Sequence, residues 1–178
     1  GQAGSVYKQY IPLVNASRKP GEWQSYDIIF DAPKFDSDGN KIKSGYFTVF
    51  FLSGNGQTAK YTEIWEPIPK ETYSISDSAP PNDAIVLFDG EDLSKWNAKW
   101  SDKESGWQIN KDGSVTVVFD GSGGIETKEN FGSVQLHVEW KTSEDISHKN
   151  QSRSNSGVFL QGRYEIQILD SYKSPTYV

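Results

Sequence analysis

The hydrophobic residues of this chain alternate with polar ones in short runs, and Gly, Asp, Asn and Ser separate the runs. A period of two sends successive side chains to opposite faces of a strand, whereas a helix needs apolar residues every three or four positions. Helical periodicity is almost absent. The pattern predicts strands at Trp23–Phe30, Tyr46–Leu52, Ile85–Phe88, Ser114–Phe119, Ser133–Lys141, Ser156–Gln161 and Tyr164–Leu169. That reads as an antiparallel all-β domain with little helix. Asp-Gly steps at Asp38-Gly39, Asp89-Gly90, Asp112-Gly113 and Asp120-Gly121 predict hairpins or tight turns, because glycine reaches positive φ without a Cβ clash. Pro67–Asn82 has no trustworthy period and carries Pro67, Pro69, Pro80 and Pro81, so it reads as an extended, solvated arm.

Two of the glycine-bearing segments look chemical but read as plain turns. Asp36-Ser37-Asp38-Gly39-Asn40 has the outline of a calcium loop, yet its Gly comes two places early and Phe47 stands where the closing Glu belongs. Gly121-Ser122-Gly123-Gly124 lacks the Gly-Lys-Ser/Thr ending of a phosphate loop.

Length and composition narrow the function. At 178 residues the chain is expected to be one domain with a core of its own. A net charge of -6 and a pI near 4.9 argue against nucleic-acid or anionic-membrane partners, which require basic patches. No apolar run approaches the roughly 18 residues of a membrane span. The absence of cysteine removes disulfides, thiolate catalysis and thiolate-bound zinc. His137 and His148 are the only histidines, so a multi-histidine metal site is not expected either. An aromatic content of 13% is far from that of a disordered chain. The start at Gly1, without Met or a signal sequence, is expected of a processed or engineered form.

The strand faces locate candidate chemistry. In Val134–Trp140, Gln135, His137, Glu139 and Lys141 point away from Val134, Leu136, Val138 and Trp140. In Tyr164–Leu169, Arg163, Glu165 and Gln167 point away from Tyr164, Ile166 and Ile168. If the two strands are neighbours, one sheet face carries two carboxylates, two cations, an imidazole and two amides. Such a face is either a solvated, ion-paired surface or a sugar-binding cleft. Trp23, Trp96, Trp107 and Trp140 supply ring faces for a pyranose, or simply core.

Glu165-Ile166-Gln167-Ile168-Leu169-Asp170 resembles the catalytic strand of the concanavalin-like jelly-roll β-glucanases, with Gln167 in place of the middle acid and Asp170 in place of the last Glu. A wider set of residues is similar to the 3-keto-disaccharide hydrolase domain family. It includes Asn155-Ser156-Gly157-Val158-Phe159-Leu160-Gln161-Gly162-Arg163-Tyr164 running into that strand and on to Ser171. Leu87-Phe88-Asp89-Gly90 with Leu93 and Trp96, Gly124-Ile125 with Thr127-Lys128, and Phe131-Gly132 leading to Leu136-His137-Val138-Glu139-Trp140 belong to it as well. Pro20-Gly21-Glu22-Trp23-Gln24, Tyr26-Asp27-Ile28-Ile29-Phe30 and Ala32-Pro33 complete it. The order is exchanged: residues 1–52 resemble the family's later half and 57–178 its earlier half, with 67–82 an arm, and the family's closing segment has no counterpart. The chain therefore reads as a permuted single domain, with Val178 and Gly1 expected about 4–8 Å apart.

The resemblance implies a concanavalin-like jelly-roll β-sandwich acting on glycosides already oxidised at C3, in an exported bacterial protein that is secreted, periplasmic or on the cell surface. A C3 ketone acidifies the C2 hydrogen, so a base can start an elimination that expels the aglycone from C1, with water adding back. Glu165 is the first candidate for acid or base and Glu139 its rival. Asp170 is open among catalysis, a divalent-cation ligand and a turn. Arg163, His137 and Lys141 would steady developing negative charge or orient the sugar, and Gln167 and Gln135 would bind hydroxyls. No cofactor is required, although a divalent cation fits. Two other readings stay open: a noncatalytic, lectin-like carbohydrate-binding module, and a structural or surface-display domain.

Overall fold

The computed structural model describes residues 3–6, 12, 15–52, 79–100, 106–118, 123–145 and 147–173. Among these residues eleven strands run in the order β1 (Trp23–Asp31), β2 (Lys34–Phe35), β3 (Lys41–Lys43), β4 (Tyr46–Leu52), β5 (Trp96–Ala98), β6 (Gln108–Ile109), β7 (Val115–Thr116), β8 (Ile125–Thr127), β9 (Val134–Lys141), β10 (Ser156–Leu160) and β11 (Tyr164–Ile168). A single 3-10 turn at Asn150–Ser152 is the only helical element among the described residues. The protein is all-β, with every strand pairing antiparallel.

The chain divides into two compact units, one formed by Gly1–Thr58 with Phe131–Val178 and the other by Ala59–Asn130. In the first, β1 is the middle strand of the three-stranded sheet β4-β1-β9. Its alternation is nearly complete: Tyr26, Ile28 and Phe30 are buried, while Trp23 and Ile29 are exposed. Register places Tyr26 opposite Val138 and Phe51, and Ile28 opposite Leu136 and Val49. The second sheet of this unit is the hairpin β10-β11. Its turn uses Gln161 and Gly162 at φ 52 and 63, and the Arg163 amide donates to the Leu160 carbonyl at 3.1 Å. Residues 3–6 lie along the free edge of β11: Gly4 N–H donates to Gln167 O and Gln167 N–H to Ser5 O, both at 2.9 Å.

One core takes side chains from both sheets and from this edge segment: Ala3, Val6, Tyr26, Ile28, Phe30, Trp140, Leu160 and Ile166. Aromatic rings join the sheets, with Tyr164 lying 5.2 Å from Phe47 and 6.0 Å from Phe30. The Tyr26 hydroxyl, buried and pushed above its ordinary pKa by desolvation, donates to Gln167 O at 2.7 Å. That bond satisfies a polar group that burial would otherwise leave costly.

The second unit holds the pairs β5-β8 and β6-β7. Asp112-Gly113 sits in the β6-β7 turn, with Gly113 at φ 78. Asp36-Ser37-Asp38-Gly39-Asn40, in the first unit, is the β2-β3 turn: Asp36 accepts from the Asp38 and Asn40 amides at 3.0 and 2.8 Å. Its oxygens serve the turn rather than a cation. The expected strand Ile85–Phe88 does not form. The Val86 and Leu87 carbonyls instead accept from the Lys95 ammonium and the Trp96 indole, so side chains occupy positions a ladder would need. Asp120-Gly121, most of the 67–82 arm, and the residues at the Val178–Gly1 junction lie outside the described residues.

Candidate functional site

The expected neighbours β9 and β11 lie in different sheets, which overturns the idea of one shared polar face. β9 pairs with β1, and β11 pairs with β10. Even-numbered residues of both strands, Val134 to Trp140 and Tyr164 to Ile168, turn to the same core. Alternation then sends Glu139 and Glu165 outward from two sheets with that core between them. They cannot act on one bond.

The outward face of β9 is an exposed, ion-paired surface. His137 Nδ1 lies 2.6 Å from Asp27 Oδ1, and its Nε2 lies 3.9 Å from Glu139 Oε1. Glu139 is 72% exposed. Lys141 Nζ sits 5.0 Å from the ring centre of Trp23, and Gln135, also exposed, stands opposite Ile29. Pairs this wet contribute little and are strongly screened.

The outward face of β11 is different. Glu165 is half-buried, and desolvation is what raises its carboxyl above the ordinary range. Phe159 stands directly opposite it on β10. Its carboxyl group leans diagonally across β10 onto Gly157: a Cβ built on Gly157 would fall 2.4 Å from Glu165 Oε1 and 2.6 Å from its Cγ. Arg163, in the turn just before the strand, is exposed and makes no ion pair with Glu165 or Glu139.

Gln167 is not on a solvated face. It is 1% exposed, and its Nε2 donates toward Asn155 Oδ1 and Ser156 O at 2.8 Å, with Ile168 O at 3.1 Å. Asp170 is likewise buried. Its Oδ2 accepts from Arg153 Nε at 2.8 Å and from Arg153 Nη2, and its Oδ1 from the Tyr172 amide at 3.2 Å. The Asp170 amide donates to Arg153 O at 3.0 Å. Of the roles left open for Asp170, these contacts are those of the turn, reinforced by the Arg153 clamp. Among the described residues no three His, Asp or Glu side chains group as a metal site would need, and no helix is long and apolar enough to cross a membrane.

The family model of the 3-keto-alpha-glucoside-1,2-lyase-like domain matches residues 83–178, which is more than half of the chain. The chain belongs to this family. No curated protein and no solved structure gives a significant match. All eight candidate residues fall inside the matched stretch, whereas Asp27 and Trp23 fall outside it. Membership in the lyase-like family associates the chain with carbohydrate, and with a hydrolase- or lyase-like activity on glycosides. Within the family match, Gly157, Arg153 and Asn155 are the residues that alternation could not single out. Gly157 and Asn155 were legible only as members of the family signature, and Arg153 carried no signal of its own.

Proposed function

We propose that this chain cleaves 3-keto-glucosides by base-assisted elimination, with Glu165 as the base. The observation that carries the reading is the state of Glu165: a half-buried carboxyl without an ion-pair partner, its pKa raised by desolvation alone. A carboxylate held that way is a stronger base than a solvated one. The family description supports it, since it names both a 3-keto-alpha-glucoside and a 1,2-lyase.

The chemistry asks for little more. The C3 carbonyl draws electrons from C2, so the carboxylate can take the C2 proton. The electron pair left behind forms a C1–C2 double bond and expels the aglycone from C1. Water adding across that bond completes a net hydrolysis. Arg163, exposed in the turn just before the same strand, is the candidate for orienting the sugar or steadying the enolate oxygen. His137, Gln135, Lys141 and Glu139 belong to the other sheet and take no part at this site. The fold-level reading is that the chain is one such domain with its two halves exchanged, its sheets being portions of a jelly-roll sandwich.

Glu165→Gln keeps the shape and removes the base. Turnover of a 3-keto-glucoside should fall by about 10²–10⁴-fold, the usual worth of a general base; undiminished turnover sinks the assignment. Sugar binding without turnover by the wild type would mark a binding module instead. The same variant carries a stability readout. A raised folded-state pKa favours the neutral carboxyl, so the wild type loses stability as pH rises through that value. Glutamine never ionises, so the variant should melt higher than the wild type near neutral pH. The two should converge below the ordinary glutamate pKa.

A further inference from the structure

We propose that Gly157 is the positioning residue of Glu165: its missing side chain is the space in which the Glu165 carboxyl group lies against the neighbouring strand. The geometry separates this role from the usual reasons for a glycine. Among the described residues the left-handed glycines are Gly4, Gly21, Gly39, Gly90, Gly113, Gly123 and Gly162. Gly157 is not among them, so its backbone is one that alanine also adopts. It lies within β10, where a side chain would normally help the sheet by packing on its neighbours. What a side chain would collide with here is Glu165. A Cβ at Gly157 would meet Oε1 at 2.4 Å, Cγ at 2.6 Å and Cδ at 2.9 Å, all well inside van der Waals contact.

The cross-strand register explains why that position matters. Glu165 pairs directly with Phe159 and Gln167 with Gly157, so Gly157 is the diagonal neighbour of Glu165 on the same face. Diagonal residues are within reach of a long side chain. Phe159 fills the place directly opposite, and the buried Gln167 amide is fixed by Asn155, Ser156 and Ile168. The open diagonal slot over Gly157 is where the carboxyl group goes. Lying there, it turns one side to protein backbone instead of water, which accounts for its partial desolvation. A methyl group in the slot would lift the carboxyl group back into solvent.

The role in catalysis rests on Glu165 being the base; the role in holding the carboxyl group does not. Gly157→Ala tests both. Carboxyl-carbon NMR should show the Glu165 midpoint falling toward the ordinary glutamate range in the variant, and the acidic limb of the kcat/KM profile for a 3-keto-glucoside should move the same way. An unchanged Glu165 titration in a folded Gly157→Ala protein overturns the proposal. If the midpoint moves but the wild type turns over no 3-keto-glucoside, the positioning stands and the catalytic reading fails. Should Gly157→Ala fold poorly, the Gly157→Ala/Glu165→Ala double variant decides. Recovery of most of the lost melting temperature supports the shared space, and no recovery overturns it.

Discussion

At the scale of single residues, the polar groups at the end of β11 differ in how far their bonds are already used. Glu165 retains an uncommitted carboxyl, whereas Asp170, five positions on, has both oxygens occupied by Arg153 and the Tyr172 amide. Their burial differs as well, Asp170 being 3% exposed and its partner Arg153 19%. Removing one member of such a pair leaves the other charge without compensation. Asp170→Asn should therefore lower stability by about 3 kcal/mol, while the activity of the remaining folded protein stays near that of the wild type. Urea denaturation checks the first part, and turnover per folded molecule the second. Loss of turnover without loss of stability would return Asp170 to the catalytic list. Gln167 shows the same logic in a neutral group. Three acceptor oxygens surround its Nε2, so an amide donor fits where the carboxylate of the glucanase-like pattern would be repelled. Alternation along the strand could say that Gln167 points away from the core. It could not say that Asn155 and Ser156 cover it, because that contact depends on the course of a loop.

At the scale of elements, strict alternation was legible wherever one face of a strand is buried. β1, β4, β9, β10 and β11 match the predicted runs to within one residue at most ends. Strands of two or three residues, such as β2, β5, β6 and β8, are too short to show a period. Ile85–Phe88 shows the converse failure: an apolar run whose carbonyls are taken by Lys95 and Trp96. Partnership was the part least written locally. Nothing in β9 or β11 alone says that the first pairs with β1 and the second with β10, and this choice splits the expected polar face in two. Residues 3–6 are a further instance, since no run there announces a strand. Yet Ala3 is 1% and Val6 8% exposed, and Gly4 and Ser5 hold both backbone groups of Gln167. Deleting residues 1–6 should cost about 2–4 kcal/mol from the lost burial and ladder bonds. It also uncovers the β11 edge, so concentration-dependent association should appear on size-exclusion chromatography. A truncated chain with an unchanged urea midpoint and a monomeric profile would show that the segment is dispensable.

At the scale of the whole molecule, the arrangement of the first unit would give the proposed exchange of halves a physical meaning. That unit is built from two separate stretches, Gly1–Thr58 and Phe131–Val178, with Ala59–Asn130 intervening in sequence. Read with Val178 followed by Gly1, the two stretches become one continuous segment. Contacts that are distant in the present order become local. Ala3 N–H donates to Ser171 Oγ across 168 residues, and Asn15 Nδ2 to Ser171 O across 156. In the joined order Ala3 and Ser171 would stand only about ten residues apart. Closing a loop costs free energy that grows with the logarithm of its length, so this shortening should favour the folded state by about 2–3 kcal/mol. The corresponding experiment is a chain running from residue 57 to Val178, then directly from Gly1 to Leu52. It should fold to the same amide NMR pattern for β1, β9, β10 and β11, with a higher urea midpoint and an unchanged m-value. A chain that fails to fold, or that melts well below the original, would mean that the ends do not meet as the exchanged halves require. Success would join residues 1–52, which lie outside the 83–178 family match, to that match as the continuation of a single lyase-like domain.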